Sequence, residues 1–422
     1  MSEVWKQEFT WSAFNHTSGA MQVVHNPYAA EVAVIGAGPA GLVSAIALAS
    51  AGVETLLIAP QAKADQRTTA LLAGSVTALE TLGIWSACLP HAAPLKKIRL
   101  VDDTQRLFRA PEIAFDAAEI GLDAFGYNIE NRHLFAAFEA RAAALNLHRI
   151  ADVACDIKSD TDGVAIKLAD QTVRVRLVVG ADGQRSLCRQ AATIGSTRRE
   201  YPQTALTCNV AHSRPHGDIS TEFHTEHGPF TLVPLPGRRS SLVGVLDPVQ
   251  AAALAAMSDD ALSIEIERRA HSLLGAMTVE PGRSTFPLAV ETAAHFARNR
   301  IALVGEAGHV LPPIGAQGLN LGLRDAATVA ELVAEARRHG ADVGGPRLTA
   351  AYDARRRADV QSCTLAVDLL NRFLLSDFLP AHGARGFSVY LLDRIGIMRR
   401  ALMRQGAAPI VSQPRLMRGE MV

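Results

Sequence analysis

The residues of this chain best placed to do chemistry lie between Ile301 and Leu332, IALVGEAGHVLPPIGAQGLNLGLRDAATVAEL. Four apolar residues, Ile301 to Val304, end at Gly305; Glu306 and His309 follow, and Pro312, Pro313, Gly315 and Gly318 shape a loop. The pattern predicts a strand, a loop and a helix opening at Leu319. Ala326, Val329, Ala330 and Val333 then fall at helical spacing and form one buried stripe. Small residues that present backbone N–H groups at a helix N-terminus stabilise negative charge. A flat cofactor that becomes anionic when reduced is the kind of group such a loop would cradle.

Two other stretches have the same construction. Glu31 to Ile35 predicts a strand, Gly36 to Gly41 (GAGPAG) a turn, Leu42 to Ala51 a helix closed by Gly52, and Val53 to Ala59 a second strand. In that setting Gly36 permits the tight turn, Gly38 lets the backbone approach a pyrophosphate, and Gly41 lets helix and strand pack closely. Pro39 and Ala40 lie between them, at the helix start. The dinucleotide fingerprint also expects an acid at the end of the second strand, to bind a ribose. Ala59 and Pro60 stand there instead, which leaves the ribose to the backbone or to a later residue such as Gln61 or Asp65. The third stretch, VRLVVGADGQRS from Val175 to Ser186, predicts a buried strand leading to Asp182, Gly183 and Arg185.

Composition narrows the partners. Lys plus Arg (42) equals Asp plus Glu (42), so bulk charge gives no hold on nucleic acid. With 422 residues the chain exceeds one ordinary core. The five cysteines are scattered and contain no C-x-x-C pair, which suits reduced thiols in the cytoplasm. The first 30 residues lack a charged segment followed by an apolar one, as a secretory signal would need. Trp5, Trp11 and Phe14 lie in a polar extension, and Met21 is an alternative start. The stretch from Val32 to Pro60 carries a single charge, Glu54, but its glycines punctuate it as strand, turn, helix and strand rather than as a membrane span. His212, His216, His224 and His227 match no metal-site spacing and are expected on exposed strand faces, so no metal site is assigned.

Taken together, GAGPAG, GADGQRS and GEAGHVLPPIGAQGLNLGLRD resemble the three-part pattern of the FAD-dependent aromatic hydroxylases. The wording AQGLNLGLRD is most similar to the ubiquinone-biosynthesis monooxygenases. DQRTTALLAGSVTALETLGIW (Asp65 to Trp85), GPFTLVPLPGRRSSLVGVL (Gly228 to Leu246) and the tail from Leu369 to Gly406 extend the likeness over about Val32 to Gly406. The family usually has Asp, two Ala and His here; the chain keeps Ala307 and His309 but departs at Glu306 and Gly308.

The resemblance implies an α/β fold: a Rossmann-like FAD-binding domain of the aromatic-hydroxylase type, an inserted β-sheet substrate domain and C-terminal helices. The expected division is an N-terminal extension (1–22), a discontinuous FAD domain (23–90, 127–195 and 295–358), a substrate domain (91–126 and 196–294) and C-terminal helices (359–422). It implies FAD as cofactor, O2 as co-substrate, and NADPH or a redox partner as transient electron donor, since no second G-x-G-x-x-G unit is present. Oxygen transfer to an electron-rich ring would run through a flavin C4a-hydroperoxide, a chemistry that belongs to the cofactor.

Gly315, Gln317, Gly318, Leu319 and Asn320 would cradle the pyrimidine side of the flavin, with Pro312 and Pro313 against its face. Glu306, Asp182 and Gly183 would serve the ribityl chain or the pyrophosphate. Arg67, Asn131 and Arg132 would complete the site. His309 is the one side chain considered as a base, against the blander role of a hydrogen-bonded structural group. The implied substrate is a polyprenylated phenol, with other quinone-biosynthesis proteins as partners. Apolar positions Val367, Leu370, Phe373 and Leu374 and a basic cluster, Arg394, Arg399, Arg400 and Arg404, suit either peripheral contact with the inner face of the membrane or packing on the core. Two other readings stand beside the first: a hydroxylase of a small soluble aromatic or secondary metabolite, and a non-catalytic flavin-fold protein that carries an isoprenoid.

Overall fold

A computed structural model describes residues 29–60, 65–104, 111–375, 400, 403 and 413–422. The N-terminal extension, Gln61, and Arg394, Arg399 and Arg404 of the tail lie outside the described residues, as do the side chains of Val367, Leu370, Phe373 and Leu374. Strand β1 (Ala30–Ile35) leads into α1 (Pro39–Ser50) and β2 (Thr55–Ile58); β3 (Thr68–Leu72) runs directly into α2 (Ala73–Thr81). Strand β4 (Lys97–Asp102) precedes β5 (Gly126–Glu130), which opens α3 (Asn131–Ala144); β6 (His148–Ile150) and β7 (Thr172–Gly180) follow, then α4 (Leu187–Ala191). Strands β8 (Ser196–His212), β9 (Ile219–Thr225), β10 (Gly228–Leu235), β11 (Arg239–Leu246) and β12 (Ser284–Ala293) come next. Strand β13 (Ile301–Leu303), α5 (Gln317–Arg338) and α6 (Pro346–Leu375) follow, and among the described residues a short 3-10 turn (Arg415–Arg418) lies near the C-terminus.

Strands β13, β7, β1, β2 and β6 lie side by side in that order and all run parallel. The apolar runs are continuous because both faces of this sheet are covered. In β1 the alternation is explicit: Val32 and Val34 face a core with Leu42, Ile46, Phe138 and Val329, whereas Ala33 and Ile35 face one with Ile58, Val178 and Leu303. A second sheet is mostly antiparallel and places β12, β8, β11, β10, β9 and β4 in sequence, so segments far apart in the chain share one layer. A short third sheet pairs β3 with β5.

Element boundaries differ from the sequence expectation in small, explicable ways. Helix α1 starts at Pro39 rather than Leu42, since a proline in the first turn lacks only an N–H that had no intrahelical partner. Helix α5 starts two residues before Leu319, immediately after Ala316 in the left-handed conformation (φ 55°). His212 corrects the reading of the histidines as exposed: it is buried, and its ring nitrogens lie 2.7 Å from the Arg214 carbonyl and 3.1 Å from Ser240 Oγ. No helix among the described residues is long and apolar enough to cross a membrane.

Candidate active site

The parallel register decides which turns meet. Ile35 aligns with Gly180, and Gly180 with Leu303, so the turns after β1, β7 and β13 emerge together at the carboxyl edge of the sheet. Backbone hydrogen bonds tie them: Ala181 N–H donates to the Ile35 carbonyl at 2.8 Å, and Val304 N–H to that of Gly180 at 2.9 Å. In a doubly wound sheet this edge is where ligands bind.

The glycines around this edge fall into two kinds. A Cβ on Gly36 would stand 2.2 Å from the Ala181 carbonyl oxygen, and one on Gly41 2.1 Å from that of Gly36, so these two permit chain-on-chain packing. A Cβ on Gly38, Gly183, Gly315 or Gly318 would meet nothing within 4 Å. Their backbone stands open, as contact with a ligand requires, and the cradle fits a dinucleotide that carries a flat ring.

Asp182 and Glu306 reach this edge by different routes. The Asp182 carboxylate accepts from Ser186 Oγ at 2.5 Å and from Cys188 N–H at 3.0 Å, which secures the start of α4. Glu306 is exposed, and Gln184 Nε2 donates to it at 3.3 Å. Beneath them Arg189 donates to the carbonyls of Gln184 and Ala307, at 2.7 and 2.9 Å, and so joins the second and third turns.

The loop after β13 is held by buried charge. Asp325 is wholly buried on α5 and accepts from Gly305 N–H at 2.8 Å, from Arg356 Nε at 2.6 Å, and lies 2.7 Å from His309 Nε2. Burial would raise the Asp325 pKa, but Arg356, His309 and the Gly305 amide outweigh it and hold the carboxyl at about 2. His309 is 2 % exposed. Its imidazole is therefore a hydrogen-bonded positioning group at this loop, without the access to substrate that a base would need.

Asn320 makes a second anchor. Its Oδ1 accepts from Leu72 N–H at 2.9 Å and Ser75 Oγ at 2.6 Å, and its Nδ2 donates to the carbonyls of Ala70 at 2.9 Å and Ala316 at 2.6 Å. This buried amide uses its full capacity to clamp β3 and α2 onto the mouth of α5. Sequence reasoning chose Asn320 for its backbone; the side chain does the positioning.

Arg67 and Asn131 meet through Asp65. Arg67 donates from Nε and Nη2 to the Asp65 carboxylate, Asn131 Nδ2 donates to it at 2.8 Å, and Thr69 Oγ1 donates to Asn131 Oδ1 at 2.6 Å. Asp65 is thereby engaged with these two residues rather than free to replace the ribose-binding acid. Burial would raise its pKa, yet the hydrogen bonds from Arg67 and Asn131 keep it below the usual carboxylate value. The Arg67 pKa is raised, first by its hydrogen bond to Asp65 and then, against the cost of burial, by the fields of Asp65 and, least, of Glu306. Arg132 extends outward and donates to Glu130 at 3.0 Å.

Glu130 begins a network that the sequence did not disclose. It is 7 % exposed and accepts from Arg132, Arg239 and Asn209, while Arg239 also donates to Glu280 at 2.5 and 2.7 Å. Charge thus links the start of α3 to the second sheet. Nearby a shallow groove runs between Gln66, Arg67 and Thr68, at the start of β3, and Thr207, Asn209 and Leu242 of the second sheet.

Comparison with known proteins agrees with this geometry. The FAD binding domain family matches residues 29–366. Ubiquinone hydroxylase UbiL of Rhodospirillum rubrum is 36% identical over 403 residues, covering 92% of this chain and 93% of that protein. The 3-demethoxyubiquinol 3-hydroxylase of Escherichia coli is 28% identical, covering 89% of this chain and 97% of that protein. Among solved structures, Pseudomonas aeruginosa PqsL in complex with 2-aminobenzoylacetate has the same fold, with a TM-score of 0.73 at 20% identity over 85% of this chain and 99% of that one. Klebsiella pneumoniae HpxO complexed with FAD and uric acid gives 0.69 at 18% identity over 91% and 100%. The chain is an oxygen-using FAD enzyme and belongs to the FAD-dependent aromatic-hydroxylase family, in its ubiquinone-biosynthesis group.

Proposed function

We propose that this enzyme hydroxylates the aromatic ring of a polyprenylated phenol on the route to ubiquinone. The observation that carries the reading is the meeting of three ligand-facing glycine turns at one sheet edge, in a chain 36% identical to a ubiquinone hydroxylase over nearly its whole length. Bound FAD would supply the redox chemistry, with NADPH or a redox partner as electron donor and O2 as the oxygen source.

The protein's part is to bind, orient and exclude water. The amides of Ala40 and Gly41 at the start of α1, beside Gly36, Gly38 and Pro39, hold the pyrophosphate at a helix N-terminus. Arg67, fixed by Asp65, adds positive charge and the neighbouring Asn131 a polar side chain at this site, while Arg132, at the start of α3, points outward to Glu130. Glu306 takes the ribityl hydroxyls, with Asp182 and Gly183 shaping the turn opposite. Gly315, Gln317, Gly318 and Leu319 surround the pyrimidine edge, Pro312 and Pro313 wall the ring, and Asn320 keeps that loop in register with β3. No side chain is assigned as a base, and His309 acts through Asp325 on the Gly305 turn.

In this reading the FAD domain comprises 23–90, 127–195 and 295–358, the substrate domain 91–126 and 196–294, and the substrate ring enters between them. The prenyl tail of such a substrate calls for peripheral contact with the membrane, and liposome flotation of full-length and tail-deleted protein tests that point. The decisive experiment is a profile of quinone intermediates in a strain that lacks the protein. Accumulation of an under-hydroxylated prenylated ring is expected; an unchanged quinone pool would refute the assignment.

A further inference from the structure

The end of β2 poses a chemical problem. A dinucleotide fold places a carboxylate there for the ribose hydroxyls, and this chain has Ala59 and Pro60, which carry no polar side-chain atom. The structure brings another group to that place. Strand β6 pairs with β2, setting Arg149 opposite Leu57, and its guanidinium reaches over the strand end. Nε donates to the Ala59 carbonyl at 3.3 Å and Nη2 to the Pro60 carbonyl at 2.9 Å. Nη1 donates to both oxygens of Glu139, each at 3.0 Å.

Glu139 sits on α3, far from the fingerprint in sequence, yet the fork of one guanidinium joins its carboxylate to the backbone where the acid is missing. A planar fork fixes such an arrangement in direction as well as distance. The Glu139 side chain is 36% exposed against 22% for Arg149, so the cation is the more enclosed member and the carboxylate the more open one. A carboxylate has about four lone-pair sites and the shared Nη1 takes two, which leaves acceptors for a pair of adjacent hydroxyls.

We propose that Glu139, held at the end of β2 by Arg149, is the carboxylate that receives the adenosine ribose hydroxyls of FAD. Helix α3 thus supplies the group that β2 lacks. The assignment rests on the FAD reading above, and Arg149 is its positioning residue.

The test is flavin titration of the full-length apoprotein, followed by fluorescence, with FAD and with an FAD analogue whose adenosine ribose lacks both hydroxyls. Wild-type protein should bind FAD about ten- to a hundred-fold more tightly than the analogue, the range for hydrogen bonds to a charged acceptor. Glu139→Ala should abolish that preference by weakening FAD alone, and Glu139→Gln, which keeps shape and one acceptor, should leave part of it. Arg149→Ala should reduce the preference while analogue binding persists. Wild-type protein that binds FAD and the analogue equally, or Glu139→Ala protein that keeps the preference, would overturn the role of Glu139. Wild-type protein that binds neither flavin would overturn the FAD reading, and this assignment with it.

Discussion

The turn after β1 and the loop after β13 face the same ligand-binding edge but are held in shape by different physics. Gly36 and Gly41 work by sterics: the carbonyl oxygen of Ala181 in the next turn, and that of Gly36 in the same turn, stand 2.2 and 2.1 Å from where their Cβ atoms would be. The Gly305–Asn320 loop works by polar contacts, through the buried Asp325 with Arg356 and His309, and through the four hydrogen bonds of Asn320. A steric turn is compact and local. A polar loop draws on partners far along the chain, and it tolerates a strained residue, Ala316 at φ 55°, because Asn320 bonds its carbonyl.

The largest expected effect comes from breaking the polar side. Asp325→Ala leaves Arg356 without its buried carboxylate partner and should cost about 3–5 kcal/mol, read from urea unfolding of the apoprotein. A loss no greater than that of an exposed ion pair would show that this loop, too, is held by packing alone. The same carboxylate makes the loop acid-sensitive. Its folded pKa, about 2, lies below the ordinary value of 3.8, so its contribution is complete above that ordinary value and fades as pH falls through 2. Wild-type protein should therefore lose more stability than Asp325→Asn protein between about pH 4 and about pH 2.

The steric side should respond to one methyl group. Gly41→Ala should destabilise by about 1–3 kcal/mol and abolish flavin binding, whereas Gly38→Ala, facing open space, should unfold within about 1 kcal/mol of wild type yet bind FAD more weakly. Equal effects of the two changes on unfolding would erase the distinction between packing and ligand-facing glycines. Asn320→Ala strands the Leu72 amide and the Ala70 carbonyl and should cost about 1–3 kcal/mol, with FAD affinity falling as β3 loosens. The smallest change is Ala316→Gly. Relief of the left-handed conformation should raise stability by at most about 1 kcal/mol, detectable as a higher thermal midpoint.

Much of this edge was legible in the sequence because glycine spacing and apolar runs encode it locally. GAGPAG, the buried run at Val175–Val179 and the strand-loop-helix pattern after Ile301 each sit where the structure puts a strand end. What remained hidden were side chains whose partners are remote: Arg189 between two turns, Glu130 with Arg239, and Arg356 on α6 with Asp325 on α5. Asp65 shows the limit well. It stood close in sequence to the missing ribose acid, but folding assigns it to Arg67 and Asn131.

The sequence by itself therefore determined the kind of ligand and the order of the turns that meet it, since close backbone approach demands glycine at fixed spacing whatever the rest of the chain does. Tertiary structure decided which charged side chains support those turns. Asp325 and His309 could belong to a site or to a core until α5 and α6 packed, and burial then made them a framework for the Gly305 turn. Pairing of β6 with β2 likewise brought Arg149, and through it Glu139, to a strand end that carries no acid of its own.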